Sequence, residues 1–278
     1  MLINTKNVFI VSLILFIILL FVVPTSLITT DLGNTIITIV AFLFGIIAGF
    51  YIVVTTTDYN SVKNILASET AGWISLYQNL KAYDPPLAEK LRDLIDIYIL
   101  KAFDYEIIDY ERGTRQEFEA IKNLLQEVPL KNDISYIYEK LRDKFDGITT
   151  SRQQMAVLGI RTLSLFQWVI LVTLATLFIF CLYGLRTGEV FFDIVTVAIS
   201  SSIVLVLLLI RELDLYIWNE KTFGYDIFEN VLMSIGQLPY YPTESLKKGR
   251  VNPSEKEYRV GVLINSRSME RKIEIIKK

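Results

Sequence analysis

The sequence predicts an all-α integral membrane protein with four transmembrane helices, arranged as two pairs around a cytoplasmic helical-bundle insert, and a short mixed C-terminal tail. The main signal is four long apolar runs, at Val8–Ile28, Ile36–Val54, Leu163–Leu185 and Val190–Ile210. Each run is long enough, at 1.5 Å per helical residue, to cross a hydrocarbon core of roughly 30 Å. A long polar stretch separates the second run from the third, and 21% of the residues are charged although 52% are hydrophobic. A substantial water-exposed part is therefore expected beside the spans.

The predicted domain boundaries follow these runs. Residues 1–55 hold the first transmembrane pair, 56–160 the insert, 161–218 the second pair and 219–278 the tail. A cleaved signal peptide is the alternative for the first run. That run is longer than a usual signal core, however, and Pro24–Leu27 offers no small-residue cleavage site. We therefore expect a retained span.

The charges beside the runs predict the orientation. Four spans place both ends of the chain on the same side, and only Arg186 lies next to a run on the opposite side. The bases expected on the first side are Lys6, Lys63, Arg152, Arg161, Arg211 and Lys221. The positive-inside rule then predicts a multi-pass protein of the cell membrane whose N-terminus, insert and C-terminus are cytoplasmic.

The insert shows the spacing and the caps of several helices. Asp84 followed by two prolines predicts a helix start, and Gly113 a helix end. The segment from Thr114 to Glu117 has the pattern of a capping box that opens the next helix. A further helix is expected from Asp133. We expect the helices that flank the insert to continue from the second span and into the third with little break.

The tail has a different pattern. Residues 224–235 are predicted as a short amphipathic helix that Leu238–Pro242 interrupts. Tyr258–Ile264 is predicted as a strand, and a fold-back at Lys272–Ile276 is its only evident partner.

Composition argues against an enzyme. The chain has no histidine, which removes the commonest general base and metal ligand, and its single cysteine, Cys181, allows no thiol metal site. Nucleophile-elbow, phosphate-loop and dinucleotide-binding patterns are absent from the sequence. We therefore expect no enzymatic activity, no cofactor, no metal and no nucleic-acid partner.

The chain resembles the bestrophin-like group of prokaryotic membrane proteins over roughly Ile36–Asn230. The matching features are Glu69-Thr70-Ala71 after the second span, a tyrosine-bearing helix with Tyr98, Glu212-Leu213-Asp214 after the fourth span, and Phe223-Gly224. The proline that the family places before this last phenylalanine is missing. Bestrophins are pentameric anion channels with two helix pairs and cytoplasmic helices, so the resemblance implies that architecture and suggests a channel.

Gly45 and Gly49 form a small-xxx-small motif inside the second run. Such a pair lets two helices approach closely. The contact is either an oligomer interface or a packing contact within one subunit.

Asp193, Thr196 and Ser200 share one helical face near the outer end of the fourth run. A carboxylate at membrane depth indicates function, although Asp193 lies shallow enough to reach headgroup water. Ser200 and Ser201, with Ser202, line a wet path or bond back to carbonyls one turn earlier. We take Asp193, Thr196, Ser200 and Ser201 as candidates for pore lining or selectivity.

Charges also gather at the inner ends of the third and fourth runs. They are Arg161, Arg211, Glu212 and Asp214. They form either interfacial ion pairs or a charged ring at an inner pore mouth.

Two further charged segments lie outside the runs. The acidic cluster Asp104, Glu106, Asp109 and Glu111 lacks the spacing of a calcium loop, so we expect a solvated helix face, with pairing to the basic tail as the alternative. Lys247, Lys248 and Arg250 are candidates for contact with anionic lipid.

The function we predict is an oligomeric membrane channel or channel-like pore for small ions. One subunit's four spans enclose too little room for a polar path, so a homo-oligomer with a conduit on its symmetry axis is expected. The alternative is a membrane-anchored sensor or scaffold whose insert and tail bind a partner.

Overall fold

A computed structural model describes residues 5–28, 30–105, 109–126, 135–158, 163–216, 225–247, 249, 251–265 and 270–278. The chain is mostly helical and divides into two units. The first, here the membrane unit, comprises residues 1–59 and 161–218. The second, the polar unit, comprises residues 60–160 and 219–278.

Four helices of the described residues are long and apolar enough to cross a membrane: α1 (Thr5–Val22), α2 (Thr30–Tyr83, from Gly33), α7 (Leu165–Gly184) and α8 (Val190–Asp214). Their most apolar windows have mean hydropathies of 2.4 to 2.7. The first helix ends at Val22, shortly before Pro24, and so is shorter than the apolar run that predicted it. Most side chains in these windows face outward, as expected for helices surrounded by lipid.

The apolar core of the membrane unit joins α2, α7 and α8. Its buried members are Phe44, Ala48, Tyr51, Leu163, Leu171, Ala175, Ile203 and Ile210. Helix α8 also packs against α1. Helix α2 is one continuous helix of 54 residues that runs on into the polar unit, as predicted for the second span.

The corresponding prediction for the third span is wrong. The helix before it ends at Leu158, and α7 begins with its own capping box, in which Ser164 accepts from the Gln167 amide and the Gln167 side chain accepts from the Ser164 amide. A serine-x-x-glutamine sequence satisfies amide groups that have no partner in the first helical turn, which favours a new start at this point.

The helices of the polar unit, besides the end of α2, are α3 (Pro85–Ala102), α4 (Tyr110–Gly113), α5 (Arg115–Gln126), α6 (Ser135–Leu158), α9 (Asp226–Ser234) and α10 (Thr243–Lys247). Asp84 caps α3 by accepting from the Leu87 amide, as predicted. The predicted end at Gly113 is wrong for this helix, because α3 stops at Ala102 and Gly113 closes the separate turn α4. Helix α5 starts after Thr114, but the Thr114 hydroxyl donates to the Tyr110 carbonyl, so it does not act as the predicted cap.

A three-stranded sheet completes the polar unit, in the order β1 (Tyr240–Pro242), β2 (Glu257–Asn265) and β3 (Glu270–Lys277). Strand β3 runs antiparallel to β2, with Tyr258 opposite Ile276 and Val262 opposite Lys272. This is the fold-back that the sequence suggested. Strand β1 pairs with β2 in parallel, in a segment that we had interpreted only as a helix breaker.

Candidate functional site

Asp193, the candidate outer carboxylate, lies beside an arginine. Its Oδ1 is 3.3 Å from Nε of Arg186, whose side chain is 5% exposed. Arg186 also donates from Nη2 to the Val23 carbonyl at 2.9 Å. The only base of the predicted outer loop therefore holds the end of α1 and offsets the charge of Asp193.

The polar residues that follow Asp193 on α8 lie inside the membrane unit. Thr196 is 6% exposed, Ser200 is fully buried, and Ser201 is 7% exposed. The hydroxyls of Ser200 and Ser201 have no hydrogen-bond partner, whereas exposed Ser202 bonds back to the Ala198 carbonyl at 2.9 Å. This face of α8 is covered by helices of its own chain.

The inner charges serve different purposes. Asp214 is 3% exposed and accepts from the Leu163 amide at 3.0 Å and from the Trp168 indole at 3.2 Å. It therefore ties the end of α8 to the start of α7. Arg211 and Glu212 are half-buried, and Arg161 lies outside the described residues.

Gly45 and Gly49 make no close helix contact inside this chain. A Cβ atom placed on either residue would meet nothing within 4 Å, and both residues are exposed. Packing within one subunit, one of the two alternatives from the sequence, therefore does not explain the motif.

The most heavily bonded polar group of the structure was not a candidate from the sequence. Glu69 of α2 is fully buried in the polar unit, yet its carboxylate accepts three side-chain hydrogen bonds. Trp73 donates to Oε1 at 3.2 Å, Tyr98 donates to Oε1 at 2.5 Å, and Tyr110 donates to Oε2. The carboxylate thus joins α2 to α3 and α4.

Arg152 of α6 completes this network, which we call the Glu69 hub (Glu69, Trp73, Tyr98, Tyr110, Thr114 and Arg152). Its guanidinium is 3% exposed and donates from Nη1 to the Tyr98 hydroxyl and, at 3.0 Å, to the Thr114 hydroxyl. The other terminal nitrogen donates to the Glu111 carbonyl at 2.8 Å. The Tyr98 hydroxyl therefore bridges a buried cation and a buried anion.

Burial raises the pKa of Tyr98 and of Tyr110 well above the ordinary 10.0, and the negative charge of Glu69 raises it further. Both hydroxyls stay protonated and keep donating to the carboxylate. A buried charge is tolerated only when it is paired and hydrogen-bonded, and here both conditions are met.

A sequence signal for the hub exists. The buried residues of this part of α2 recur at alternating spacings of four and three, and they are Val62, Leu66, Glu69, Trp73, Leu76 and Leu80. Glu69 is the only ionisable member of that series. A carboxylate at a core position of a helix requires buried donors, and this requirement was the missed clue.

The acidic cluster does not form a solvated face. Asp104 is buried and pairs with Arg271 of the tail at 2.6 Å, and Glu111 supplies its carbonyl to Arg152. The alternative, pairing with the basic tail, therefore holds for Asp104. Glu106 lies outside the described residues, as do Lys248 and Arg250, while Lys247 is exposed.

A second arginine of the tail also reaches α3. Arg259 donates from both terminal nitrogens to Asp96, at 2.7 and 2.6 Å. The two arginine–aspartate pairs fasten the sheet to α3. Among the described residues, no group of three or more acidic, histidine or cysteine side chains is placed to hold a metal.

The family model for the bestrophin-like domain matches residues 7–215. The chain belongs to the bestrophin-like family. This match covers all four candidate spans and the Glu69 hub, and it ends at the start of the segment that holds Phe223 and Gly224, which lie outside the described residues. No curated protein matches the sequence.

Solved structures show the same fold. A crystal structure of a bacterial bestrophin homologue from Klebsiella pneumoniae, obtained by Zn-SAD phasing, is 16% identical over 83% of this chain and 99% of that chain, with a TM-score of 0.61. A variant of an unnamed membrane protein gives 17% identity, 83% and 99% coverage, and a TM-score of 0.63. At this identity the likeness establishes the fold and nothing finer.

Proposed function

We propose that this bestrophin-like protein is an oligomeric channel or channel-like pore for small ions in the cell membrane. The observation that carries the proposal is the family match across all four membrane-length helices. The solved bestrophin homologue supports it through a shared fold over 99% of its length. In this proposal both chain ends and the polar unit lie in the cytoplasm, in line with the excess of bases beside the spans on that side.

The proposed assembly is a homo-oligomer. Gly45 and Gly49 are exposed on α2, beside the outward-facing side chains of Phe42, Ile46 and Phe50. A pair of glycines that contacts nothing in its own subunit is suited to close contact with a helix of a neighbouring copy.

The proposed selectivity element is Asp193 together with its arginine. Because Arg186 lies 3.3 Å away, the pair is close to neutral, and the net field at the outer end depends on both residues. Thr196, Ser200 and Ser201 remain the candidate polar lining, along α8 and within the membrane unit. At the inner end, Arg161, Arg211 and Glu212 are the proposed mouth charges, whereas Asp214 serves to hold α7.

A scaffold function is the second candidate. The observation that favours it is the fastening of the tail to α3 by Arg259 and Arg271, which gives the polar unit a well-defined surface. In that case the membrane unit would act as an anchor, and purified protein would carry no current.

The deciding experiment is a current measurement on purified protein in planar bilayers, across a range of voltage, pH and calcium. The channel proposal expects unitary currents that disappear in bilayers prepared with heat-denatured protein. Absence of current under all of these conditions would favour the scaffold.

Orientation is tested separately by labelling with a membrane-impermeant thiol reagent in intact cells. In a Cys181→Ala background, Thr187→Cys should react and Lys81→Cys should not, since both positions are exposed in the structure. Labelling at Lys81→Cys from outside would reverse the proposed topology.

A further inference from the structure

Strand β3 forms an open edge of the three-stranded sheet. It pairs with β2 on one side, and no described strand pairs with its other side. Three of its isoleucines are exposed, Ile273 by 46%, Ile275 by 58% and Ile276 by 37%. A long edge strand with free backbone groups and apolar side chains is a template for another strand.

The opposite edge of the sheet is closed to such pairing. Tyr240 and Tyr241 of β1 are 2% and 1% exposed, and the strand is only three residues long. A second copy of this chain therefore offers one accessible edge, the same strand β3. Two identical edges meet in antiparallel fashion about a twofold axis.

The hydrogen bonds of the sheet show which residues of β3 can take part. The Lys278 amide donates to the Lys256 carbonyl at 2.8 Å, so the residues at even positions of β3 direct their backbone groups toward β2. The Arg259 amide donates instead to the Pro239 carbonyl of the segment leading into β1, which is the same alternation seen from β2. The backbone groups of Arg271, Ile273 and Ile275 therefore point away from the sheet.

Charge then selects the register. Symmetric registers centred on 271, 272, 274 or 277 place two like charges opposite each other at the axis, and one centred on 275 opposes Lys272 to Lys278. The register centred on Ile273 opposes Lys272 to Glu274 of the second copy, twice, and Ile273 to its own counterpart. Directly opposed charges of opposite sign stabilise a strand pair, and like charges destabilise it.

One other register also opposes unlike charges. Centred on Ile276, it places Glu274 opposite Lys278. It joins a shorter stretch of strand, and Lys278 is already committed to the Pro253 carbonyl at 2.7 Å. The register centred on Ile273 also brings the outward-directed backbone groups of Arg271 opposite those of Ile275.

We propose that β3 is a self-association edge, which pairs with β3 of a second copy in the antiparallel register centred on Ile273. The two three-stranded sheets then form one continuous sheet across two chains. The partner is a second copy of this chain, recognised by the alternation of Lys272, Ile273 and Glu274.

The test is chemical cross-linking of purified full-length protein in detergent, in a Cys181→Ala background. A short bis-maleimide should join two chains in Ile273→Cys, where the two thiols face each other across the axis. Ile276→Cys is the matched control, because its two copies would be separated by about 20 Å along the strands. Cross-linking at Ile276→Cys alone would show the competing register, and equal cross-linking at both positions would show random collision. Either result, or no cross-linking at all, overturns the proposal.

Charge variants test the register independently. Adding Lys272→Glu to Ile273→Cys should lower the yield of joined chains roughly tenfold, because two opposed pairs become repulsive. Adding Glu274→Lys as well should restore the yield. Unchanged melting temperatures across the three proteins would assign the loss to the interface and not to the fold. A yield that Lys272→Glu leaves unchanged overturns the register.

Discussion

The Glu69 hub makes a sharp prediction about stability, because its cation and anion are both buried and meet only through the Tyr98 hydroxyl. Glu69→Gln keeps the shape of the side chain and an oxygen that accepts from Trp73 and Tyr98. It removes the charge that balances Arg152, which is 3% exposed. Breaking a buried pair by removing one partner costs about 3–5 kcal/mol.

Arg152→Gln should cost a similar amount for the converse reason. It removes the hydrogen bonds to Tyr98, Thr114 and the Glu111 carbonyl, and it leaves the Glu69 charge without its cation. In the double variant no buried charge is left unpaired. We therefore expect the double variant to be no less stable than Arg152→Gln, with a coupling free energy of about 1–3 kcal/mol.

The assay is thermal unfolding of the full-length protein in detergent, followed by the fluorescence of its tryptophans. At about 2–4 °C per kcal/mol, each single variant should melt roughly 6–20 °C below wild type. Arg142→Gln is the matched control on α6, since its ion pair with Asp146 at 3.8 Å is exposed, and we expect no measurable shift.

Strict additivity would refute the reasoning. If the melting shifts of the two single variants sum to that of the double variant, the two charges do not interact through Tyr98. A small shift for Glu69→Gln alone would show that Arg152 does not depend on the charge of Glu69.

Three further predictions concern other parts of the chain. In asymmetric salt, Asp193→Asn should shift the reversal potential toward anion selectivity and Arg186→Gln toward cation selectivity, because each leaves the other charge unbalanced; shifts of the same sign would contradict this. Gly49→Leu should reduce the subunit count in native mass measurement, or lower the melting temperature, whereas Gly147→Leu, at another glycine with open space around it, should do neither. Since the folded pKa of Tyr110 is raised, its stabilising contribution is complete below about pH 10 and declines above it; melting temperature should therefore fall less steeply above pH 10 in Tyr110→Phe than in wild type.

The spans and most helix starts followed from local sequence. Apolar runs predicted α1, α2, α7 and α8, and Asp84 with its prolines predicted the start of α3, because these features act within a few residues of where they stand. The early stop of α3 at Ala102 was not evident, since a strongly periodic sequence continues past that residue.

The Glu69 hub was only half accessible to sequence reasoning. The spacing of buried residues along α2 marks Glu69 as a core position, but its donors Tyr98 and Tyr110 lie 29 and 41 residues away. The tie between Asp214 and the Leu163 amide spans 51 residues. Such partners are fixed by tertiary packing, and local periodicity carries no information about them. Strand β1 was missed for a related reason, because its three residues gain strand geometry only by pairing with β2.

The two carboxylates of α8 have a mechanical consequence. Asp193 meets Arg186 at the turn between α7 and α8, and Asp214 holds Leu163 and Trp168 at the other end of the same helix pair. A slide of one helix past the other by a single turn, about 5.4 Å, would break both attachments together. The α7–α8 hairpin is therefore a beam riveted at both ends, and any change of shape in the membrane unit must carry it as one body.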